Sequence, residues 1–327
     1  MEKANPLISV ALCTYNGAAH LEEQLRSIIA QTYRNIEIIA VDDGSTDETV
    51  NILEKYKKEG NLQIVKNPKN LGYVKNFERA ISLCSGDFIA LSDQDDIWEA
   101  NKLERLLEEI KDNILIYSDS HIVNERGESL DKKISSIRNF VEGHHPESFL
   151  FHNCVAGHTS MFKKELKQYI FPFPEKIFHD WWITFTASSI GTITYTHDCL
   201  VKYRQHEKTN TDMLYLRTPK KPEELNKSKK VEMKTLETIQ HLSIFNEFRY
   251  LNEKDKKFIE KLIQGYEKRL SNVFSFGLFI FQWKNRKTLY HIPKDPFIYK
   301  AVHILKESLG TKLKKAYYKW KEKKSST

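Results

Sequence analysis

Short, almost continuous runs of hydrophobic residues alternate with helical patterns in the first part of the chain. The runs at 7–12, 36–41 and 88–91 have the length of strands and are apolar enough to be buried on both faces. Between them, apolar residues recur at spacings of three and four, which is typical of amphipathic helices. This order predicts an α/β fold with a mostly parallel sheet covered by helices on both faces. Ligands of such sheets gather at the carboxyl ends of the strands.

The pattern changes near residue 215, where the strand-like runs stop. Residues 218–224 form a segment rich in proline and charge, which is typical of a turn. Helical spacing then follows at roughly 228–250, 255–283 and 297–323. We therefore expect an α/β domain at residues 1–214 and a helical region at residues 215–327.

Carboxylates are concentrated directly after the third hydrophobic run. Asp93, Asp95 and Asp96 fall within four positions, and their combined charge is costly unless a cation neutralises it. Hard divalent cations prefer such oxygen ligands, so Mn²⁺ or Mg²⁺ is the expected cofactor. Alternate residues of an extended segment point to opposite sides, which places Asp93 and Asp95 together with Gln94 turned away. A solvated turn rich in aspartate is the alternative.

The net charge of +7 is concentrated at the carboxyl end of the chain. Residues 300–327 contain nine lysines and two glutamates, an excess of seven, so the rest of the chain is close to neutral. Apolar residues at helical spacing, followed by Tyr317, Tyr318 and Trp320, predict a basic amphipathic helix. This composition suits an anionic membrane surface better than nucleic acid. The alternative is a stripe that packs on the protein or on a second copy, which leaves a homo-oligomer open.

The remaining composition favours an enzyme of the cytoplasm. The longest apolar run, residues 273–281, is about half the length that a membrane-spanning helix needs. Cys13, Cys84, Cys154 and Cys199 are far apart and show no metal-binding spacing, and no signal peptide precedes the first predicted strand. We expect a cytoplasmic protein, peripheral at the inner face of the cell membrane through its tail.

Several short motifs, taken in order, resemble those of a known family. The motifs near the predicted strand ends are Thr14-Tyr15-Asn16, Val41-Asp42-Asp43-Gly44-Ser45, Asn70-Leu71-Gly72 and Ser92-Asp93-Gln94-Asp95-Asp96-Ile97-Trp98. Together they resemble the family 2 glycosyltransferases, which have the GT-A fold and use nucleotide sugars. Later motifs are Cys154-Val155-Ala156-Gly157-His158-Thr159, His179-Asp180-Trp181-Trp182 and Tyr203-Arg204-Gln205-His206. The longer set is similar to the rhamnosyltransferase-like branch, bacterial enzymes that build cell-surface polysaccharides.

The resemblance covers roughly residues 7–210 and implies a donor half at about 1–100 and an acceptor half at about 101–214. By motif position, Asp43 would accept a hydrogen bond from the imide of uracil or thymine, beside Thr14 and Tyr15. Lys75 and Arg204 would approach the diphosphate, since a planar guanidinium suits phosphate oxygens. The resemblance therefore implies a UDP- or dTDP-sugar donor. It favours rhamnose and leaves hexoses open.

The same resemblance assigns the metal and acceptor sides. His206 would join Asp93 and Asp95 around the cation. Asp180 would be the base that deprotonates the acceptor hydroxyl, and a single base opposite the leaving group implies inversion. The alternative for Asp180 is a helix cap. The residues expected around the acceptor are Gly157, His158, Trp181 and Trp182.

The sequence thus predicts an inverting, metal-dependent glycosyltransferase that acts on a glycan or lipid-linked acceptor. Two other classes stay open. One is a nucleotide-sugar-binding protein without turnover, recruited to the membrane by its tail. The other is a nucleotidyltransferase, which would be expected to have a basic, glycine-rich loop after the first strand. Residues 13–17 contain no basic side chain.

Overall fold

The computed structural model describes residues 5–57, 61–206, 227–313 and 316. The chain divides into two compact units. The first comprises residues 1–144 and 153–217, and the second comprises residues 145–152 and 218–327. The division that the sequence predicts near residue 215 lies outside the described residues.

The first unit is built on one nine-stranded sheet. Its strands are β1 Ile8–Thr14, β2 Ile36–Asp42, β3 Leu62–Lys66, β4 Phe88–Ser92, β5 Ile97–Trp98, β6 Leu115–Val123, β7 Ser129–Lys133, β8 Ser160–Lys163 and β9 Ile193–Arg204. Hydrogen-bonded neighbours follow the order β3-β2-β1-β4-β8-β6-β9-β5, and β7 pairs with β6. The first four strands in chain order pair in parallel, whereas β8 is antiparallel to both β4 and β6. The predicted α/β fold with a mostly parallel sheet is therefore confirmed.

Burial explains why the early strands read as continuous hydrophobic runs. All seven residues of β1 are buried, because helices cover both faces of the sheet at that position. The register pairs Thr14 with Asp42, and Leu12 with Ser92, so β1, β2 and β4 end at the same edge. The polar motifs that follow these strands therefore meet at one edge of the sheet.

Amphipathic helices supply the layers on the sheet. The helices of the first unit are α1 Leu21–Ile29, α2 Thr49–Tyr56, α3 Tyr73–Leu83, α4 Lys102–Ile110, α5 Ile134–Ile137, α6 Lys167–Ile170 and α7 His179–Ile190. In α1, the buried residues Leu21, Leu25 and Ile28 recur at spacings of four and three. These side chains belong to one core with β1 and β2. One-turn 3₁₀ helices at Gly157–Thr159 and Lys164–Leu166 flank β8.

The second unit is helical in the described residues. It contains α8 Lys227–Asn246, α9 Glu253–Ser271, α10 Phe276–Lys284, α11 Arg286–Leu289 and α12 Phe297–Ser308, with a 3₁₀ helix at Pro146–Phe149. Its buried residues include Leu242, Leu262 and Ile304. A buried ion pair joins Arg269 of α9 to Glu307 of α12 at 2.8 Å. Among the described residues, no helix combines the length and apolarity that crossing a bilayer requires.

Two helices of this unit are shorter than the sequence predicts. The expected helix at 255–283 is broken between Ser271 and Phe276, where Ser275 donates its backbone N–H to the Ser308 carbonyl at 2.9 Å. The expected helix at 297–323 ends at Ser308, because Leu309 is extended and the Gly310 N–H bonds the Val273 carbonyl at 2.8 Å. The tail aromatics Tyr317, Tyr318 and Trp320 lie outside the described residues.

Candidate functional site

The loops that follow β1 and β2 are tied together by hydrogen bonds. Asn16, with φ of 47°, donates its backbone N–H to Ser45 Oγ at 2.9 Å and accepts the Thr46 N–H on Oδ1 at 2.8 Å. The Gly17 N–H bonds Thr49 Oγ1 at 2.8 Å. Each loop thus supplies the partners that the other needs, and the two form one rigid edge above the sheet.

Thr14 and Asp42 support this edge from below. Thr14 is buried, and its hydroxyl donates to Asp42 Oδ1 at 3.0 Å. The same carboxylate accepts the Gly44 and Ser45 N–H groups at 3.2 and 2.9 Å. The Thr14 hydroxyl therefore holds the turn, and the nucleotide contact of Thr14 stays a prediction. Tyr15, the next residue, is exposed, in agreement with a surface for a ligand.

Asp43 points toward the third polar motif. Its buried carboxylate accepts a bond from Asn67 Nδ2 at 2.7 Å and from the Leu71 and Gly72 N–H groups at 2.8 and 2.9 Å. Gly72 has φ of 83°, which glycine adopts without strain. Asp43 thus fixes the loop before α3, and its contact with a nucleotide base stays a prediction.

Gln94 joins the aspartate-rich loop to the first loop. Its carboxamide accepts the Tyr15 N–H at 2.8 Å and donates to the Tyr15 carbonyl at 3.1 Å, as a neighbouring strand would. A Cβ on Gly17 would lie 2.1 Å from Gln94 Oε1, so a larger residue at this position would displace the Gln94 carboxamide. Gly17, directly after the first motif, therefore leaves the space that the glutamine of the fourth motif occupies.

The structure brings Asp93, Asp96 and His158 together, with ligand atoms within 4.8 Å of one another. His158 Nδ1 lies 3.8 Å from Asp93 Oδ2 and 3.5 Å from Asp96 Oδ2. Asp96 and His158 are buried, whereas the Asp93 side chain is 39% exposed. The cluster therefore has a closed inner side and one open carboxylate. The His158 ring is buried between these carboxylates and Tyr203, with the two ring centres 4.3 Å apart, and its contact with the acceptor stays a prediction.

Burial of these charges perturbs their protonation. Burial raises the pKa of Asp96 to about 7, and although His158 opposes it, the charges of Asp95 and Asp93 add to it. For His158, burial alone would lower the pKa, but the carboxylates of Asp96 and Asp93 outweigh burial and raise it. Burial also favours protonation of Asp93, yet its hydrogen bond with His158 holds its pKa below the ordinary value. The cluster therefore attracts a positive charge.

Asp95 faces a different partner. Its Oδ2 lies 2.9 Å from His206 Nε2, with the two side chains 19% and 11% exposed. The structure thus brings Asp95 and His206 together, as predicted. Asp93 is paired with His158 instead, so the two aspartates have separate histidine partners.

Arg204 holds this loop through its whole side chain. The guanidinium donates to the carbonyls of Asp95 and Glu125, each at 2.7 Å, and to Glu23 Oε2 at 2.6 Å. Its backbone N–H bonds Asp96 Oδ1 at 3.0 Å. Arg204 is buried and these partners use its fork, and its pairing with phosphate stays a prediction.

A buried lysine lies beneath the cluster and was not predicted from sequence. Lys102 Nζ donates to the His158 carbonyl at 2.6 Å and lies 3.3 Å from the centre of the Trp98 ring. Burial lowers the pKa of Lys102 well below its ordinary value, against the opposing charges of Asp96 and Asp93. The sequence contains a signal for this burial. Lys102 lies four residues before Leu106, and this helical spacing places the lysine on the apolar face of α4.

Asp180 lies in the first turn of α7, beside the same segment. A Cβ on Gly157 would lie 3.7 Å from Asp180 Cβ and 3.0 Å from His179 Nε2, so the Gly157 backbone lies close to both side chains. Burial raises the pKa of Asp180, although His179 opposes this, and the charge of Asp93 raises it further. Gly157 is buried, and its contact with the acceptor stays a prediction.

Exposed aromatic rings flank Asp180. Phe178 and Tyr73 stack with ring centres 5.5 Å apart, and Tyr73 meets the His179 ring edge-on at 6.2 Å. His179 is buried and stacks on Phe77 at 3.8 Å. Tyr73 and Phe178 are 39% and 44% exposed, so their rings offer an open apolar surface next to the carboxylate. Sequence reasoning missed this pair because its members are distant in the chain.

Three further residues of the predicted site have partners within the protein or are partly buried. Trp182 is buried, and its Nε1–H donates to the Ile170 carbonyl at 2.8 Å, and its place around the acceptor stays a prediction. Lys75 pairs with Glu78 at 2.7 Å and with the Phe173 carbonyl at 3.3 Å, and its approach to a diphosphate stays a prediction. Trp181 is partly buried, and its acceptor role stays a prediction.

Comparison with known proteins identifies the class of the chain. Residues 9–170 match the model of glycosyl transferase family 2. An uncharacterized glycosyltransferase of Rickettsia prowazekii (strain Madrid E) is 31% identical over 216 residues, which cover 63% of this chain and 67% of the relative. The chain belongs to glycosyl transferase family 2.

More distant likenesses agree with this class. TuaG of Bacillus subtilis (strain 168), named as a teichuronic acid biosynthesis glycosyltransferase, is 30% identical over 160 residues, covering 48% of this chain and 60% of that protein. The chain thus spans about two thirds or less of these relatives. The structure of S. aureus TarS 1–349 with UDP-GlcNAc has a TM-score of 0.55 at 19% identity, covering 80% of this chain and 72% of that one.

A second solved structure shares the fold. A mannosyltransferase from Pyrobaculum calidifontis, in complex with GDP-Man and Mn²⁺, has a TM-score of 0.51 at 18% identity. It covers 79% of this chain, which covers 69% of it. The expected GT-A fold is therefore confirmed.

Proposed function

We propose that the chain is an inverting, metal-dependent glycosyltransferase that moves a sugar from a UDP- or dTDP-sugar to a glycan or lipid-linked acceptor of a bacterial surface polysaccharide. The observation that carries the proposal is that Asp180 and Asp93 both lie next to one segment, Gly157-His158. Gly157 lies beside Asp180, and His158 Nδ1 lies 3.8 Å from Asp93 Oδ2. A candidate base and the carboxylate loop thus share one site, as displacement at an anomeric carbon requires.

The donor side lies at the strand-end loops. Tyr15 is exposed and held by Gln94, and Asp43 fixes the neighbouring loop. A uracil or thymine base would lie between them, with one imide group donating to Asp43. The structural relatives were solved with UDP-GlcNAc and GDP-Man, which supports a nucleotide-sugar donor. Rhamnose is one candidate sugar, and hexoses are the others.

A divalent cation fits the residues present. Asp96 Oδ2 is buried without a hydrogen bond, and the charge cluster around it attracts a cation. We assign the ion to Asp93 and Asp95 with His206, because Asp93 is the open carboxylate of the cluster and Asp95 is paired with His206 at 2.9 Å. When bound, the ion would act as a Lewis acid that stabilises the leaving diphosphate. Asp96 and His158 hold Asp93 from behind, and Lys102 supports His158.

A second ligand set, Asp93 with Asp96 and His158, is favoured by the 4.8 Å cluster. The two sets differ in Asp95 and Asp96. If the open set holds the ion, Asp95→Asn abolishes the manganese dependence of UDP binding and Asp96→Asn retains it. The reverse result assigns the ion to the buried set.

Asp180 takes the proton of the acceptor hydroxyl. Burial raises its pKa, so its ionised carboxylate is a stronger base than an ordinary one. One base acting opposite the leaving group inverts the anomeric centre, with no covalent intermediate. Tyr73 and Phe178 would stack on the acceptor sugar, since aromatic faces suit the apolar faces of sugar rings. The named role of TuaG supports a polysaccharide acceptor.

The test compares Asp180→Asn with Asp112→Asn, an exposed control outside the site. A panel of UDP- and dTDP-sugars with Mn²⁺ is screened by thermal shift, and the product anomer is read by NMR. We expect Asp180→Asn to lose transfer by several orders of magnitude and to bind UDP as the parent does. Donor binding without turnover in the parent would indicate the non-catalytic binding protein. Release of pyrophosphate would indicate a nucleotidyltransferase.

A further inference from the structure

Two helices of the second unit carry apolar stripes that face solvent. On α10, Phe276 and Ile280 are 71% and 50% exposed. On α12, Ile298, Val302 and Leu305 follow helical spacing, and Ile298 is 71% exposed. The opposite face of α12 packs through Ile304, which is fully buried. Both helices therefore pack on one face, and no other described residue covers the apolar residues of the opposite face.

The stripes are joined into one surface by aromatic contacts. Trp283 of α10 meets Phe297 of α12 edge-on, with ring centres 5.9 Å apart. The Arg286 guanidinium lies 4.9 Å from Trp283 and 5.9 Å from Phe297. We call this the α10–α12 surface, formed by Phe276, Ile280, Phe297, Ile298, Val302 and Leu305. Contiguous exposed apolar surfaces of this kind mark interaction sites.

The charge around this surface is strongly positive. Residues 273–313 contain seven lysines and arginines and two acidic residues. One of the acids, Glu307, is bound to Arg269 in the interior of the unit. Lys284, Lys287 and Lys306 are exposed beside the apolar stripes. An apolar face bordered by lysines matches the profile of a bilayer interface, where acyl chains lie next to anionic headgroups.

Charge also decides between lipid and a second copy of the chain. A two-fold contact brings the same surface of both copies together, so two positively charged surfaces would face each other. Like charges at such a contact oppose association. Anionic headgroups instead complement them. Tyr299, 69% exposed at the start of α12, has the amphipathic ring that is enriched at membrane interfaces.

We propose that the α10–α12 surface docks on an anionic lipid bilayer, with its apolar stripes inserted among the headgroups and its lysines against them. This contact is distinct from the lysine-rich tail beyond residue 313. The membrane contact itself does not depend on catalysis. Its purpose, to hold the enzyme near a lipid-linked acceptor, rests on the proposed function.

The test measures co-sedimentation of the full chain with vesicles. One set contains phosphatidylcholine alone, and the other adds phosphatidylglycerol. The variant carries Phe276→Ser and Ile298→Ser. The matched control carries Met233→Ser and Leu236→Ser, which replace two exposed apolar residues of α8 in the same unit. We expect the variant to bind anionic vesicles at least about tenfold more weakly than the parent, and the control to bind as the parent does.

A second pair separates the charge contribution. Lys284→Gln with Lys287→Gln should weaken binding by roughly tenfold at low salt, and little at high salt. Binding of the parent to phosphatidylcholine alone as well as to anionic vesicles would overturn the proposal. So would unchanged binding of the serine variant, or its conversion of a dimeric parent to a monomer. Donor turnover with a soluble acceptor is measured in parallel, so that failure of the catalytic proposal is recognised separately.

Discussion

The contact between Gly17 and Gln94 gives the sharpest test of how the donor edge is held. Gly17→Ala would place a methyl group 2.1 Å from Gln94 Oε1 and 2.3 Å from its Cδ. Gly17 is outside the left-handed region of backbone conformation, so alanine meets no backbone strain there. The substitution therefore tests space alone, and the carboxamide must leave its position.

The cost follows from the bonds that Gln94 makes. Displacement breaks its bonds to the Tyr15 N–H and carbonyl. Each is worth about 0.5–1.5 kcal/mol, and their exposure favours the lower half of that range, so the loss is about 1–2 kcal/mol. Replacing glycine with alanine stabilises the folded protein by roughly 0.5 kcal/mol, because alanine lowers the conformational entropy of the unfolded chain. The net destabilisation of the Tyr15 loop is about 1 kcal/mol, or roughly fivefold in UDP affinity if the whole loss falls on binding.

A double-mutant cycle measures whether the effect passes through Gln94. UDP affinity in the presence of manganese is determined by calorimetry for Gly17→Ala, Gln94→Ala and the double variant. Because Gln94→Ala removes the obstructing group, we expect the double variant to bind UDP no more weakly than Gln94→Ala alone. The matched control is Gly277→Ala, since a Cβ there meets nothing within 4 Å. It should leave UDP affinity unchanged.

Additive losses in the cycle would refute the reasoning, because they would show that Gly17 acts independently of Gln94. Parental UDP affinity of Gly17→Ala would refute it equally. A loss in the Gly277→Ala control would show that the assay reports a general effect of added methyl groups.

Three further outcomes are expected. Arg204→Lys should lower the free energy of unfolding by about 3 kcal/mol, measured with urea, since lysine cannot reproduce the three guanidinium bonds and leaves a buried charge. Trp182→Phe should lose about 1 kcal/mol with its bond to Ile170 while the KM for the acceptor stays unchanged. Burial lowers the pKa of His241 from 6.5 to about 4, so the unfolded chain binds a proton that the folded chain excludes. Stability should therefore fall by up to about 3 kcal/mol as pH drops from about 6.5 to 4, and His241→Leu should flatten that dependence in urea unfolding.

The strands near the site could be predicted because burial on both faces leaves a continuous apolar run. The prediction placed the first strand at 7–12, and the structure has Ile8–Thr14. Helix ends in the second unit were harder, because long-range bonds set them. The break before Phe276 depends on Ser275 bonding the carbonyls of Gly265 and Ser308, and no local pattern records such partners.

Side-chain roles were predictable only where a residue has one plausible partner. Arg204 was expected to meet phosphate, yet its guanidinium is used by Glu23 and by carbonyls of Asp95 and Glu125. Every residue has a backbone carbonyl, so the residue types in the sequence do not show which carbonyls will accept these bonds. The pairing of Asp93 with His158 likewise depends on residues 65 positions apart meeting across β4 and β8, which only the sheet topology determines.

The last strand of the sheet affects how the protein can be divided. The family match ends at residue 170, but β9 begins at Ile193 and lies between β6 and β5. A fragment cut at residue 170 would leave β6 with an unpaired edge and Asp96 Oδ1 without its donor from Arg204. It would also leave Asp95 without His206. Arg204 and His206 are synthesised more than a hundred residues after Asp95 and Asp96. The aspartate loop can therefore make these contacts only after β9 has left the ribosome.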